Sequence, residues 1–458
     1  MRLLSSLLKN LDITTPPSFS TNVIFQTLGE ISILFFGIAT SIIIARWLGP
    51  YGKGVINALS QFLAFLGLLV SPGLYDALIY HIAGKKCSIK DGIGNFLFFT
   101  LIYSFPLTFL AISLSQFFTI NILKGVPREL LLVSLLFFLA GLYFAPVNAT
   151  LASLQRFPQL FFIGLILNIA KLSLLVFFLI ALKWGLWGAM LPDWLLFPFT
   201  IYLGLHFLRD VISIFSFKPS LNKELLKSLL GYGVKVFLGG IFWQINLRAD
   251  VLIVNYFKSP SAVGLYSTGV SYTELIRLFP IAVGKVLFPR VSSTREDEAS
   301  ELTCRITRLL TLYLLPLAFF FLLIARFIIP FLYGTKFIPS IGVVPFLLPG
   351  VVAWCYASQF GGYLSGRGHP EFSLYSNALA SLITLIGDFL LIPIMGIKGA
   401  ALTSSLAYGS NFLILLHFFR LKTALPLWEI FVPKMMDIKY LLGTFRKLIK
   451  WKKKNIIE

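Results

Sequence analysis

The stretch WQINLRADVLIVNYF, Trp243 to Phe257, places Gln244, Asn246, Arg248 and Asp250 inside a run otherwise apolar enough to cross a bilayer. Residues four apart share a helix face. Gln244 therefore lies with Arg248, and Asn246 with Asp250. Lys235, eleven residues before Asn246, joins the latter side. The next apolar run repeats the pattern, with Glu274 and Lys285 eleven apart and Arg277 one turn from Glu274. Stripes of this kind point to a water-filled, partly cationic cavity, in which such groups stay solvated or pair with one another.

The elements that must position these groups follow from composition. The 458 residues are 57% hydrophobic and 13% charged, with 46 phenylalanines, and the mean hydropathy is +0.86. A soluble domain carries about a quarter charged residues, so this chain could not cover a water-facing surface. The expected class is all-α, a polytopic membrane protein. A bilayer core takes roughly 20 apolar residues per helix. Twelve runs qualify, near 22–45, 55–80, 95–119, 130–153, 159–182, 185–208, 231–256, 264–289, 308–332, 341–364, 371–394 and 399–420. The 185–208 run is weakened by Pro192, Asp193 and Pro198.

The second half echoes the first. LGPYGKGVINALS at 48–60 aligns with KSPSAVGLYSTGV at 258–270, a shift of 210. LQRFPQ at 154–159 matches SGRGHPEF at 365–372, and GLWGA at 185–189 matches GIKGA at 396–400, a shift of 211. The expected organisation is an amphipathic segment 1–20, a six-helix lobe 21–208, a linker 209–230, a second six-helix lobe 231–420 and a basic tail 421–458. An even number of spans per repeat makes the lobes parallel repeats about an axis along the membrane normal.

With twelve spans both termini share a side. Only nine of the 39 Lys and Arg fall on the opposite side: Arg46, Lys53, Lys124, Arg128, Lys183, Lys258, Arg326, Lys336 and Lys398. The positive-inside rule then puts both termini in the cytoplasm. The net charge of +20 needs no nucleic acid, since anionic lipid of the inner leaflet is a sufficient partner. In the tail, Leu441, Phe445 and Leu448 oppose Arg446, Lys450 and Lys453 at helical spacing, which suits either a helix in the membrane surface or a disordered basic end.

Five basic residues remain within spans: Lys171, Lys235, Arg248, Arg277 and Lys285. The acids there are Glu30, Asp76, Asp193, Asp250, Glu274 and Asp388. A charge at mid-membrane costs about 2.5–3.5 kcal/mol on insertion scales. These groups must line a wet cavity, pair with one another or sit at span ends. Arg248 reads as cavity-lining and Asp250, near a span end, as structural. Lys171 stands alone in its helix. Asp193 belongs to a broken helix beside Pro192, and Asp388 pairs across the last two spans. Asn148, Asn168 and Asn377 are expected to hydrogen-bond between helices.

Catalytic signatures are missing. Cys87, Cys304 and Cys355 match no metal or redox spacing. His81, His206, His369 and His417 are scattered, and neither HExxH nor GxSxG occurs. GGYLSGRG at 361–368 has a phosphate loop's glycines, but Arg367 and Gly368 stand where Lys and Ser or Thr belong. No cofactor is expected.

ARWLGPYGKGVINAL at 45–59 resembles the opening signature of polysaccharide-biosynthesis membrane proteins, the Wzx-type flippases of the multidrug/oligosaccharidyl-lipid/polysaccharide exporter superfamily. The segments RADVLIVNYFKSPSAVGLYSTGVSYTELIRLFPIAVGKVLFPRVS at 248–292 and GRGHPEFSLYSNALASLITLIGDFLLIPIMGIKGAALTSSLAYG at 366–409 resemble the start and close of their second lobe. The resemblance implies a V-shaped, two-lobe transporter with a cationic central cavity, no enzyme activity, and a polyprenyl-pyrophosphate-linked glycan as substrate, carried across the cytoplasmic membrane. Other polysaccharide-assembly proteins would be its partners. On this reading Arg248, Lys235, Arg277, Lys285 and Lys171 meet pyrophosphate or sugar, and Glu30, Asp250 or Glu274 couples to Na⁺ or H⁺ or is structural. Two other readings remain open: a drug/cation antiporter of the same superfamily, and a membrane glycosyltransferase or ligase, which would want a larger extramembrane loop than 209–230.

Overall fold

The computed structural model describes residues 19–142, 144–211 and 218–437. The expected amphipathic segment 1–20, nearly all of it, and the surface helix of the tail lie outside these residues. Every regular element among them is helical. In chain order they are α1 Phe19–Val70, α2 Leu74–Ala83, α3 Ile89–Ser113, α4 Ser115–Asn121, α5 Arg128–Leu142, α6 Ala145–Ser153, α7 Phe157–Leu175 and α8 Gly185–Leu208. There follow α9 Lys223–Phe257, α10 Pro260–Glu274, α11 Leu278–Ser293, α12 Glu296–Tyr333, α13 Val344–Gly366, α14 Glu371–Met395, α15 Ile397–Thr423 and α16 Leu427–Phe431. A π-helical turn, Val176–Ala181, extends α7, and 3₁₀ turns Leu275–Arg277 and Thr335–Val343 precede α11 and α13.

Among the described residues nine helices are long and apolar enough to span a bilayer, which makes this a multi-pass membrane protein. Local chemistry explains the difference from twelve runs. The first two runs are joined in α1, which bends at Gly49 (φ 67°) ahead of Pro50. Proline disfavours a helical residue before it, and glycine accepts the left-handed alternative. The fourth run is split between α5 and α6, and the eighth between α10 and α11. The second split precedes Pro280, which has no N–H for the carbonyl four residues back. The chain there tightens into the 3₁₀ turn.

The chain divides into two compact units, Met1–Ile241 with Ser259–Ser261, and Phe242–Lys258 with Ala262–Glu458. In the first unit α1 packs on α7, α7 on α8 and α2 on α6. Arg156 donates to the Phe207 carbonyl (2.8 Å) and to both oxygens of Asp210. These bonds hold the Asp210 carboxyl below the usual carboxylate range. In the second unit α15 packs on α13 and α14. Its small residues permit this. Ser405 sits against Gly350 and caps its N–H (3.1 Å), and Thr403 lies where a side chain on Gly387 would stand. Close approach at small residues is the usual basis of helix association in lipid. Asn411 donates to Asn377 across α15 and α14 (3.0 Å).

The repeat landmarks share backbone geometry. Gly185 and Gly396 have φ of 58° and 59° at the starts of α8 and α15. Three residues on, Gly188 and Gly399 press against the carbonyls of Phe178 and Leu391 on the preceding segment.

Candidate functional site: an ionised cluster in the second unit

Glu274 ends α10, and Arg277 closes the 3₁₀ turn after it. Side chains three apart eclipse in a 3₁₀ turn, so the two meet: Arg277 Nη1 donates to Glu274 Oε1 at 3.1 Å. The same carboxylate oxygen lies 3.6 Å from Arg248 Nη1 on α9. Glu274 is thus shared by two guanidinium groups, leaving one surplus positive charge. The two cations differ in access: the Arg248 side chain is 33% exposed and that of Arg277 only 7%. Arg277 lies under the rings of Trp354 (4.2 Å) and Tyr408 (5.0 Å) from α13 and α15. Its Nε and Nη2 are buried without a hydrogen-bond acceptor among the described residues.

Asp250 points elsewhere, as its two-residue offset from Arg248 requires. Its carboxylate accepts from the Val251 N–H (2.7 Å), from the Tyr266 hydroxyl on α10 and, at 3.4 Å, from Ser404 on α15. Asp388 on α14 is fully buried, and neither of its oxygens has a hydrogen-bond partner among the described residues. Thr403 on α15 neighbours Asp388 across the last two spans, and its hydroxyl donates to the Gly399 carbonyl (3.1 Å). Asp250, Tyr266 and Asp388 lie within electrostatic reach of one another. No trio of His, Cys, Asp or Glu able to hold a metal occurs among the described residues.

Three of the other expected residues, Lys171, Lys235 and Glu30, belong to the first unit. Lys171 is not alone: it pairs with Asp193 at 2.6 Å in the first unit, and both are part-exposed. The partner is available because α8 runs unbroken through Pro192 and Pro198. Lys235 belongs to the first-unit part of α9 and is exposed. Glu30 on α1 accepts from Gln26 (3.2 Å). Lys285 lies on α11, but its side chain is outside the described residues. Sequence periodicity missed Tyr266, Trp354, Tyr408 and Ser404, which reach the cluster from other helices.

Comparison with known proteins agrees with this architecture. A "Polysaccharide biosynthesis protein" family matches residues 43–342. The "Probable low-salt glycan biosynthesis flippase Agl15" of Haloferax volcanii is 27% identical over 206 residues, 44% of this chain and 43% of that protein. The "Probable flippase AglR" of the same organism is 27% identical over 179 residues, 36% of this chain and 37% of that one. The match thus spans less than half the length of these relatives. Among solved structures, the lipid II flippase MurJ in an inward closed conformation superposes with a TM-score of 0.70 at 16% identity, covering 95% of this chain and 100% of MurJ. An inward-facing multidrug resistance MATE transporter of the MOP superfamily gives 0.69 at 17% identity, covering 88% of this chain and 98% of that one. These likenesses fix the fold, and the family match places this chain in the polysaccharide biosynthesis protein family.

Proposed function

We propose that this protein is a flippase that moves a polyprenyl-pyrophosphate-linked oligosaccharide between leaflets of the cytoplasmic membrane, with both termini in the cytoplasm. The observation that carries the reading is the half-open Arg248 beside Glu274, backed by the sealed Arg277, on a helix long and apolar enough to cross lipid. A surplus positive charge at that depth is costly, and an arriving pyrophosphate offsets the cost. The family and the named flippase relatives support the same substrate class.

The geometry suggests how binding proceeds. In the unloaded site Glu274 neutralises Arg248. A pyrophosphate oxygen displaces that carboxylate and takes the Arg248 fork in bidentate fashion. Glu274 stays with Arg277, whose spare N–H groups donate to its second oxygen. The sugar head thereby leaves water for a charged site rather than for hydrocarbon, where an ion costs several kcal/mol even after relaxation. The polyprenyl tail remains in the bilayer. Asp250 and Asp388 supply the coupling site, taking a proton or Na⁺ whose loading biases one access state over the other.

The test is transport by the purified chain in proteoliposomes carrying a fluorescent polyprenyl-pyrophosphoryl sugar. The wild type moves the lipid, and Arg248→Ala moves it about 100-fold more slowly, the scale of lost charged hydrogen bonds. A wild type that moves none of it, or an Arg248→Ala that moves it normally, contradicts the reading. Export of a cationic drug in place of the lipid gives the antiporter.

A further inference from the structure

Trp243 on α9 and Trp354 on α13 meet with ring centroids 6.1 Å apart and planes tilted by 47°. They fall near the middles of the 231–256 and 341–364 runs. Tryptophan in membrane proteins collects at the two interfaces, so a pair at mid-depth is no interfacial anchor. Trp243 is 40% exposed, and its partner Trp354 adjoins ionised groups. Arg277 lies 4.2 Å from the Trp354 ring, is bonded to Glu274 and, through that carboxylate, adjoins Arg248. A chain of contacts therefore runs from the open Arg248 through Glu274 and the buried Arg277 to an aromatic corner with one ring open.

We infer that Trp243 and Trp354 form the carbohydrate subsite of this transporter, receiving the sugar joined directly to the pyrophosphate. This rests on the flippase reading. A pyranose presents C–H groups on one ring face and hydroxyls around its edge. An indole face is a large, rigid apolar surface with negative charge on its face, and it attracts those polarised C–H groups. Glu274, at the strip's centre, accepts hydroxyl hydrogen bonds. The class selected is a hexose or N-acetylhexosamine with an unobstructed ring face. Trp243 acts as the specificity residue, because Trp354 also supports Arg277.

The experiment uses the full chain in nanodiscs and two probes: polyprenyl pyrophosphate bearing one N-acetylhexosamine, and the same lipid without sugar. The wild type binds the sugar-bearing probe about tenfold tighter, the upper range for one aromatic contact. Trp243→Leu removes that advantage and leaves the bare lipid within about twofold. Trp243→Phe, which keeps a ring, retains part of it. A Trp243→Leu that weakens both probes alike, or keeps the advantage, overturns the subsite, as does a Phe variant that loses as much as Leu. A wild type that binds neither probe overturns the flippase reading itself, and the subsite with it.

Discussion

The two halves of this protein share a scaffold and differ in charge. Gly185 and Gly188 in one and Gly396 and Gly399 in the other hold the same backbone turn and the same close helix approach. The buried ions do not repeat. At the offset of 210, Arg248, Asp250, Glu274 and Arg277 correspond to Ile38, Thr40, Ala64 and Gly67, and at 211 Asp388 corresponds to Phe177. Among the described residues the first unit has instead the part-exposed pairs Arg156–Asp210 and Lys171–Asp193, the latter at positions that align with Leu382 and Ser404. The glycine landmarks thus recur in both units, and the ionised cluster occurs in the second.

That contrast can be broken in three places. The largest effect belongs to Asp388, whose carboxylate has no hydrogen-bond partner among the described residues. Asp388→Asn should slow transport by about 100-fold and abolish its response to a Na⁺ or H⁺ gradient, a linkage worth about 1–3 kcal/mol. Retained gradient dependence in reconstituted vesicles would place coupling elsewhere, with Glu30 the next candidate. Next come the paired glycines. Gly188→Ala and Gly399→Ala should each cost about 1–3 kcal/mol through overpacking, the second somewhat more. Thermal melting in detergent checks this, and a tolerant Gly188 would mean that the two turns are not equivalent. Smallest is the first-unit ion pair. Lys171→Met with Asp193→Leu should change stability by under about 1 kcal/mol, with the single Lys171→Met costing more. Transport by the double variant should stay near wild type. Its loss would give Lys171 the substrate contact that the sequence suggested.

Much of the fold is legible in the residues. Hydropathy marks the spans, and GLWGA against GIKGA marks the duplication. The i,i+3 spacing brings Arg277 to Glu274, as a helix reading requires. What periodicity cannot show is partners on distant helices. Tyr266, Trp354, Tyr408 and Ser404 are ordinary membrane-helix residues until α10, α13 and α15 gather them. The prolines misled in opposite ways. Pro192 suggests a broken helix, yet α8 passes through it and delivers Asp193 to Lys171. The span over Pro280 looks continuous, yet the chain changes to a 3₁₀ turn four residues earlier. Whether a proline kinks or is absorbed depends on what neighbouring helices offer the freed carbonyl.

The central claim is that Glu274 holds the place on Arg248 that a pyrophosphate takes. Binding of sugar-free polyprenyl pyrophosphate to Glu274→Gln tests it most directly, because glutamine keeps an acceptor for Arg277 and removes the competing charge. The account predicts binding about tenfold tighter than wild type, the direction expected when a like charge leaves an anion site. Binding that is unchanged or weaker would contradict it.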